Sequence, residues 1–298
     1  MNEYQLICCD MQRNYKIYYG HGRVVQSEDN NHLHYDGELT LTYFIRCNGK
    51  VRIEGNNYRI MDGDMVIMNP REIHCRWIEK GSLLELVSIH ISRALVEAFP
   101  FDGELLFDRF CRRKGGEGNR IDAETVRRQG LDTLAQSILS ASKEHTDHAR
   151  ILTTCKLVEL LIRLMDAPSA ELSSVSGGNS GNALVDATLR YIETHYREDI
   201  SCTLIAEQLY VSRYRLEHLF KEVVGVSLWE YVILKRIICF HDFVGRHNSV
   251  AEAARLAGFR NYANFYRLYK KRMNRSPTEY KKQLEEWQHE IRKDELLP

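Results

Sequence analysis

Apolar and polar residues change their spacing twice along the 298 residues of this chain. Through residue 115 they come in short alternating runs. Residues 38–46 (ELTLTYFIR) are dense in β-branched and aromatic side chains, and Asn48-Gly49 predicts a two-residue hairpin into residues 50–54 (KVRIE). Gly55-Asn56-Asn57 and Asp62-Gly63-Asp64 then punctuate further short strands, such as 65–68 and 84–91. Many short strands joined by tight turns predict a small antiparallel barrel or sandwich. From Ile121 the period becomes helical. Residues 122–141 and 148–165 carry apolar side chains at that spacing, for example Ile151, Cys155, Val158, Leu161 and Met165. Two such helices either pack on the barrel or pair with a second subunit. Residues 168–182 (PSAELSSVSGGNSGN) are rich in Ser and Gly and read as a flexible linker, roughly 20 Å end to end. The expected division is 1–166, a linker 167–182, and 183–298.

The last third is helical throughout, and one arrangement occurs in it twice. Residues 201–225 and 249–274 each place a small alanine (Ala206, Ala254) in a short helix, then a turn, then a capping residue (Ser212, Asn261). A second helix follows, with Leu216, Leu219 and Phe220 matched by Phe265, Leu268 and Tyr269. The alanine suits two helices that cross closely, as in a helix-turn-helix whose second helix enters a DNA major groove. The two copies differ in one respect: six residues separate Ala254 from Asn261, against five in the first. Between the copies, residues 227–244 (SLWEYVILKRIICFHDFV) form a long apolar helix, suited to be a spine. A rigid spine would present both reading helices on one face of DNA, about 34 Å apart.

Composition adds little until it is divided. The chain is 44% hydrophobic, without an apolar run of the roughly 18 residues a membrane span needs. The first ten residues (MNEYQLICCD) lack a signal-peptide pattern, so a cytoplasmic protein with no membrane contact is expected. Eight cysteines are scattered without a C-x-x-C pair and read as free, mostly buried thiols. The net charge is zero, from 41 basic and 41 acidic residues. From Ala183 onward there are 19 Lys+Arg and 16 Asp+Glu, leaving 22 and 25 before it. Residues 255–282 are sharper, with nine basic residues against Glu279 alone. Such local density suits a phosphate-facing patch.

The segment V250-x-x-A253-A254-x-x-x-G258-F259-x-N261-x-x-x-F265-x-x-x-Y269-K270-K271, followed by S276-P277-x-E279-Y280, resembles the signature of AraC/XylS transcription regulators. A206-x5-S212-x3-L216-x2-L219-F220-K221-x3-G225 is similar to that family's first motif. The chain departs from it at Tyr269, where Phe is usual, and at Asn274, where Gly is usual. The helical period leaves Arg213, Tyr214, Glu217, His218 and Lys221 outward in the first copy. In the second it leaves Tyr262, Ala263, Asn264, Arg267, Lys270 and Lys271. The resemblance implies base contacts at Tyr214, Glu217 and His218, and at Ala263, Asn264 and Arg267. Arg267 suits a guanine and Asn264 an adenine, while Lys221, Lys270 and Lys271 suit phosphates. The second head should then supply more of the electrostatic grip, and the pair should read a directional site.

In the first half, His32-x-His34-x3-Glu38 and Gly63-x6-Pro70-x3-His74 resemble the metal-binding motifs of cupin barrels, with Pro70-to-His74 one residue short. His32, His34, Glu38 and His74 are therefore candidate divalent-metal ligands. The favoured expectation is different: no cofactor, and contact of these residues with a small effector, a sugar or related metabolite. Tyr43 and Trp77 are candidate stacking platforms or core. The implied fold is a two-domain α+β protein. A cupin-like antiparallel β-barrel with flanking helices precedes an all-α domain with two helix-turn-helix motifs. The implied activity is ligand-responsive transcription regulation, not catalysis, with double-stranded promoter DNA as partner. A homodimer through the first half, and RNA polymerase if the protein activates, complete the expected partners. Two other readings remain: a constitutive DNA-binding dimer with a structural barrel, and a metal-dependent cupin enzyme fused to a DNA-binding domain.

Overall fold

A computed structural model describes residues 3–9, 14–24, 33–93, 95, 107, 110–113, 115–166, 182–245 and 249–294. They fall into two compact units, divided after Asn182. The expected linker lies, apart from Asn182, outside the described residues, as does His32.

Among its described residues the first unit contains nine strands: β1 Glu3–Cys9, β2 Tyr15–Arg23, β3 Leu39–Arg46, β4 Gly49–Ile53, β5 Asn56–Ile60, β6 Met65–Met68, β7 His74–Ile78, β8 Leu83–Ile91 and β9 Arg120–Ile121. They build two antiparallel sheets, in the orders β1-β2-β8-β3-β6-β9 and β5-β4-β7. Alternation along the strands gives the large sheet two working faces. Ile17, Leu39, Leu41, Val87 and Ile89 point to one side and bury against helices; Phe44, Val66, Leu84 and Leu86 point to the other and meet Val51, Ile53 and Ile60 of the small sheet. The expected barrel is thus two sheets face to face.

Asn48-Gly49 is not the hairpin that its dipeptide predicts. β3 pairs with β6 and β8, whereas β4 pairs with β5 and β7, so the chain changes sheets there. A side chain at Gly49 would collide with the Trp77 carbonyl oxygen, so close backbone approach explains the glycine. The two-residue turn is instead Glu54-Gly55, both at positive φ, between paired Ile53 and Asn56.

Helices α1 Ala123–Arg128, α2 Leu131–Ser142 and α3 Asp147–Asp166 follow, the first two parted by Gly130 at φ 65°. They pack on the large sheet through Leu134, Ile138, Leu157, Leu160 and Leu164. Of the expected stripe on α3, Leu161 is buried, whereas Ile151 and Cys155 are exposed, and Leu157, Leu160 and Leu164 complete the buried row. Of the eight thiols, Cys47, Cys75, Cys202 and Cys239 are buried, Cys8 and Cys111 half-buried, and Cys9 and Cys155 exposed.

Among its described residues the second unit has seven helices: α4 Ala183–His195, α5 Cys202–Gln208, α6 Arg213–Val224, α7 Leu228–Val244, α8 Val250–Leu256, α9 Tyr262–Met273 and α10 Pro277–Asp294. The spine α7 opens on a capping box at Ser227 and Glu230 and is buried for most of its length. Its Arg236 donates to the carbonyls of Tyr196 (2.6 Å) and Glu198 (2.8 Å), tying α7 to the turn after α4. No helix among the described residues is long and apolar enough to cross a membrane.

Candidate nucleic-acid interface and sensor cavity

Both helix-turn-helix units are built on the same turn. Val211 N–H donates to the Ala206 carbonyl and Phe259 N–H to the Ala254 carbonyl, each at 3.0 Å, one residue past a left-handed position. That position is Tyr210 (φ 55°) in the first unit and Gly258 (φ 96°) in the second. Ala206 and Ala254 are buried at the helix crossings. The additional residue of the second unit therefore falls after Phe259, at Arg260, which pairs with Asp199 at 2.8 Å.

Ser212 and Asn261 accept hydrogen bonds from the N–H groups of Arg215 and Asn264, so both act as N-caps of the second helices. Leu216 and Phe220, like Phe265 and Tyr269, are fully buried, while Leu219 and Leu268 are half-buried. Arg213, Tyr214, His218 and Lys221 are exposed and Glu217 is half-buried. Ala263, Asn264, Arg267, Lys270 and Lys271 are all exposed. Arg215 and Tyr266 share the exposed surface and were not singled out from the sequence; position in the helical turn is the signal that finds them. Asn274 takes φ 50° at the end of α9, the left-handed stop that Asn tolerates.

Contacts within the heads qualify the charge pattern. Arg213 donates to Glu217 at 3.1 Å, and Arg267 to the Asn264 side-chain oxygen at 3.0 Å. In the basic stretch, Arg255 pairs with Glu252, Arg260 with Asp199, Arg272 with Glu230, Lys281 with Glu285 and Lys282 with Glu286. Those carboxylates lie outside residues 255–282, so the nine-to-one count overstates the exposed positive field. Arg267, Lys270 and Lys271 remain as exposed cations of α9.

Between the two sheets of the first unit, above the apolar contact, lies a cavity of about 350 Å³. The same alternation that points Leu39, Leu41, Val87 and Ile89 at the helices points Thr40, Thr42, Ser88 and His90 into it. Thr42 and Ser88 hydroxyls lie 3.1 Å apart, and Ser88 Oγ lies 3.2 Å from His90 Nε2. Thr40 donates to Asp36 at 2.8 Å. Asp36 lies 3.5 Å from His74 Nε2 and 3.9 Å from His34 Nε2, and the two imidazole rings are 4.4 Å apart. A β-bridge between residues 34 and 74 sets this approach.

Burial pulls the His74 imidazole down to about 4, despite the opposing pull of Asp36, so it is neutral at pH 7. Burial pushes the Asp36 carboxyl up, but the His74, His90 and His34 rings and the Thr40 hydroxyl outweigh it and hold it below its usual range. Burial likewise raises Glu38, and hydrogen bonds from His90 and Lys16 override it. Glu38 is not part of the cavity lining; Lys16 donates to both its oxygens, at 2.7 and 2.9 Å.

The structure therefore brings His34 and His74 together but substitutes Asp36 for Glu38 beside them. Tyr43 and Trp77 do not serve as stacking platforms in the cavity. Tyr43 follows Thr42 and so faces the helices, buried in their core. Trp77 follows Arg76 and faces outward, with Lys50 4.7 Å above its ring. Asp36, Thr40, Thr42, Ser88 and His90 are among the lining residues that motif reading missed. The signal available for four of them was a polar residue at every second position of a strongly apolar strand.

Residues 15–161 match the AraC-like ligand binding domain, and residues 205–283 match a helix-turn-helix domain. The chain belongs to the AraC family. The regulatory protein PocR of Salmonella typhimurium is 23% identical over 157 residues, covering 48% of this chain and 52% of PocR. The HTH-type transcriptional regulator YijO of Escherichia coli is 27% identical over 154 residues, 51% of each chain. The chain thus spans about half the length of these relatives. Among solved structures, ToxT of Vibrio cholerae, bound to (E)-4-(8-methylnaphthalen-1-yl)but-3-enoic acid, is 13% identical with a TM-score of 0.38. That alignment covers 91% of this chain and 99% of ToxT.

Proposed function

We propose that this AraC family chain is a cytoplasmic, non-enzymatic transcription regulator. It binds double-stranded DNA through its two helix-turn-helix units and a small effector in the cavity of its first unit. The observation that carries the reading is the pair of like-built heads, each exposing one face of its second helix. Tyr214, Glu217 and His218 read bases in the first groove segment, and Ala263, Asn264 and Arg267 in the second. Arg213, Lys221, Lys270 and Lys271 hold backbone phosphates, beside the capped helix starts at Ser212 and Asn261. Residues 1–166 serve as sensor and dimerisation domain, 167–182 as linker, and 183–298 as the reading domain. The unlike heads suit a directional site within each half of a homodimer, and RNA polymerase is the further partner if binding activates transcription.

The cavity's carboxylate, hydroxyls and imidazoles suit a polyhydroxylated metabolite, such as a sugar, contacted by His34, His74, Asp36 and His90. Binding there would bias the chain between two states with different DNA affinity. Selection of bound duplexes from a randomised pool tests the DNA reading. A non-palindromic motif with two separated blocks is expected, and failure to enrich any sequence overturns it. Thermal shift against a sugar and metabolite panel tests the effector, since stabilisation by a cavity ligand follows mass action.

A further inference from the structure

Three side chains at the cavity wall carry a second binding chemistry. His34, Asp36 and His74 each offer one donor atom, and the three lie within 4.8 Å of one another. An ion with bonds of about 2.1 Å needs its donors about 3.0–3.5 Å apart. The 3.5 Å from His74 Nε2 to Asp36 Oδ2 already meets this, and the 3.9 Å from His34 Nε2 to the other oxygen, Oδ1, nearly does, so the carboxylate would bind through both oxygens. The remaining adjustment falls on the His34 ring, which is 48% exposed, while His74 at 4% is fixed.

His74 is also oriented as a ligand. Its Nδ1 lies 3.0 Å from the Glu72 carbonyl, which can only accept, so Nδ1 carries the proton and Nε2 presents its lone pair to Asp36. Thr40 donates to Asp36 Oδ2 at 2.8 Å, the same oxygen that lies 3.5 Å from His74 Nε2, and so fixes the carboxylate's position. His74 and Asp36 thus each have a hydrogen-bonding partner outside the donor set. Glu38, the carboxylate of the cupin-like spacing, is occupied by Lys16 through both oxygens and does not fit the role.

We propose that His34, Asp36 and His74 form a binding site for one divalent first-row transition-metal ion. Two imidazoles and one carboxylate select such an ion over Mg²⁺ or Ca²⁺, which take all-oxygen sets. Three protein donors leave part of the coordination sphere for water or for a molecule in the cavity. The site deepens the reading of this cavity as a sensor, and its measurement does not depend on DNA binding.

The test uses the full chain without a histidine tag, stripped with chelator and titrated with Co²⁺, followed by visible absorption and by calorimetry. One Co²⁺ per chain with nitrogen-ligand d–d bands is expected, displaced by Zn²⁺. Asp36→Asn, nearly isosteric, and His34→Ala, whose ring is half outside, should each weaken binding by at least about 10–100-fold. Glu38→Gln should keep the stoichiometry. No saturable Co²⁺ binding overturns the proposal. So does Co²⁺ retained by Asp36→Asn and His34→Ala, or Co²⁺ lost in Glu38→Gln. DNA binding of the same stripped protein is measured in parallel, so a failed ion site and a failed regulator reading separate cleanly.

Discussion

Mild acid should loosen the second reading head before it affects carboxylates elsewhere, and His241 is the reason. This residue of α7 places Nε2 2.8 Å from the Tyr269 hydroxyl of α9 and stacks on Tyr280 with centroids 4.2 Å apart. Burial, with the nearby Arg275 guanidinium adding to it, pulls the imidazole down to about 3. The unfolded chain binds a proton near pH 6.5, so between 6.5 and about 3 the unfolded state holds one proton more. Stability from neutral His241 is therefore complete above 6.5 and is lost as pH falls. From pH 6.5 to 5, above most carboxylate titrations, 1.5 units at about 1.4 kcal/mol each give about 2 kcal/mol as an upper figure. His241 is only half-buried, and solvent screening lowers this towards about 1 kcal/mol. The comparison is His241→Gln, which keeps an acceptor for Tyr269 but does not titrate. Denaturant unfolding of the full chain at both pH values, followed by tryptophan fluorescence, should show wild type losing about 1–2 kcal/mol more than the variant. Equal losses would refute the reasoning.

Other substitutions probe the interface and its turns. Arg267→Ala should lower affinity for the selected site by about 1–3 kcal/mol and relax one base position, measured by fluorescence anisotropy and by repeating the selection. Lys270→Ala and Lys271→Ala should weaken binding to all sequences alike and each reduce the salt slope by about 1, read from anisotropy titrations over a salt series. Gly258→Ala should cost about 2 kcal/mol or more in denaturant unfolding. Its methyl would lie 2.8 Å from Arg197 Cα and O, at a φ of 96°. Tyr210→Gly, at the matching turn of the first head, should stay within about 0.5 kcal/mol, because relief at φ 55° offsets the added freedom of the unfolded chain.

The reading heads were legible because they are local. Cap, turn and buried apolar row all lie within about 25 residues, so period and spacing alone place Ala206, Ser212, Leu216 and Phe220. Even there, the count of six against five residues did not say where the insertion lies. Locating it at Arg260 required the matching turn bonds to Ala206 and Ala254. The strands of the first unit were legible as strands but not as partners. Asn48-Gly49 carries a hairpin dipeptide, yet its glycine answers to the Trp77 carbonyl, 28 residues further along the chain.

The cavity shows why motif spacing finds a neighbourhood more readily than a donor set. His34, Asp36 and Glu38 alternate along one short stretch, so local pattern cannot rank the two carboxylates against each other. What ranks them is Lys16, far off in sequence on β2, which takes both oxygens of Glu38 and leaves Asp36 facing His74. The basic stretch fails in the same way. A window of sequence counts Arg255, Arg260 and Arg272 as free charge, although Glu252, Asp199 and Glu230 reach them from outside it. Because charges act through space with a range of about 10 Å at 0.1 M salt, the relevant count belongs to the folded surface. On that surface the cations of α9 reduce to Arg267, Lys270 and Lys271, the residues whose substitutions should separate base reading from phosphate grip.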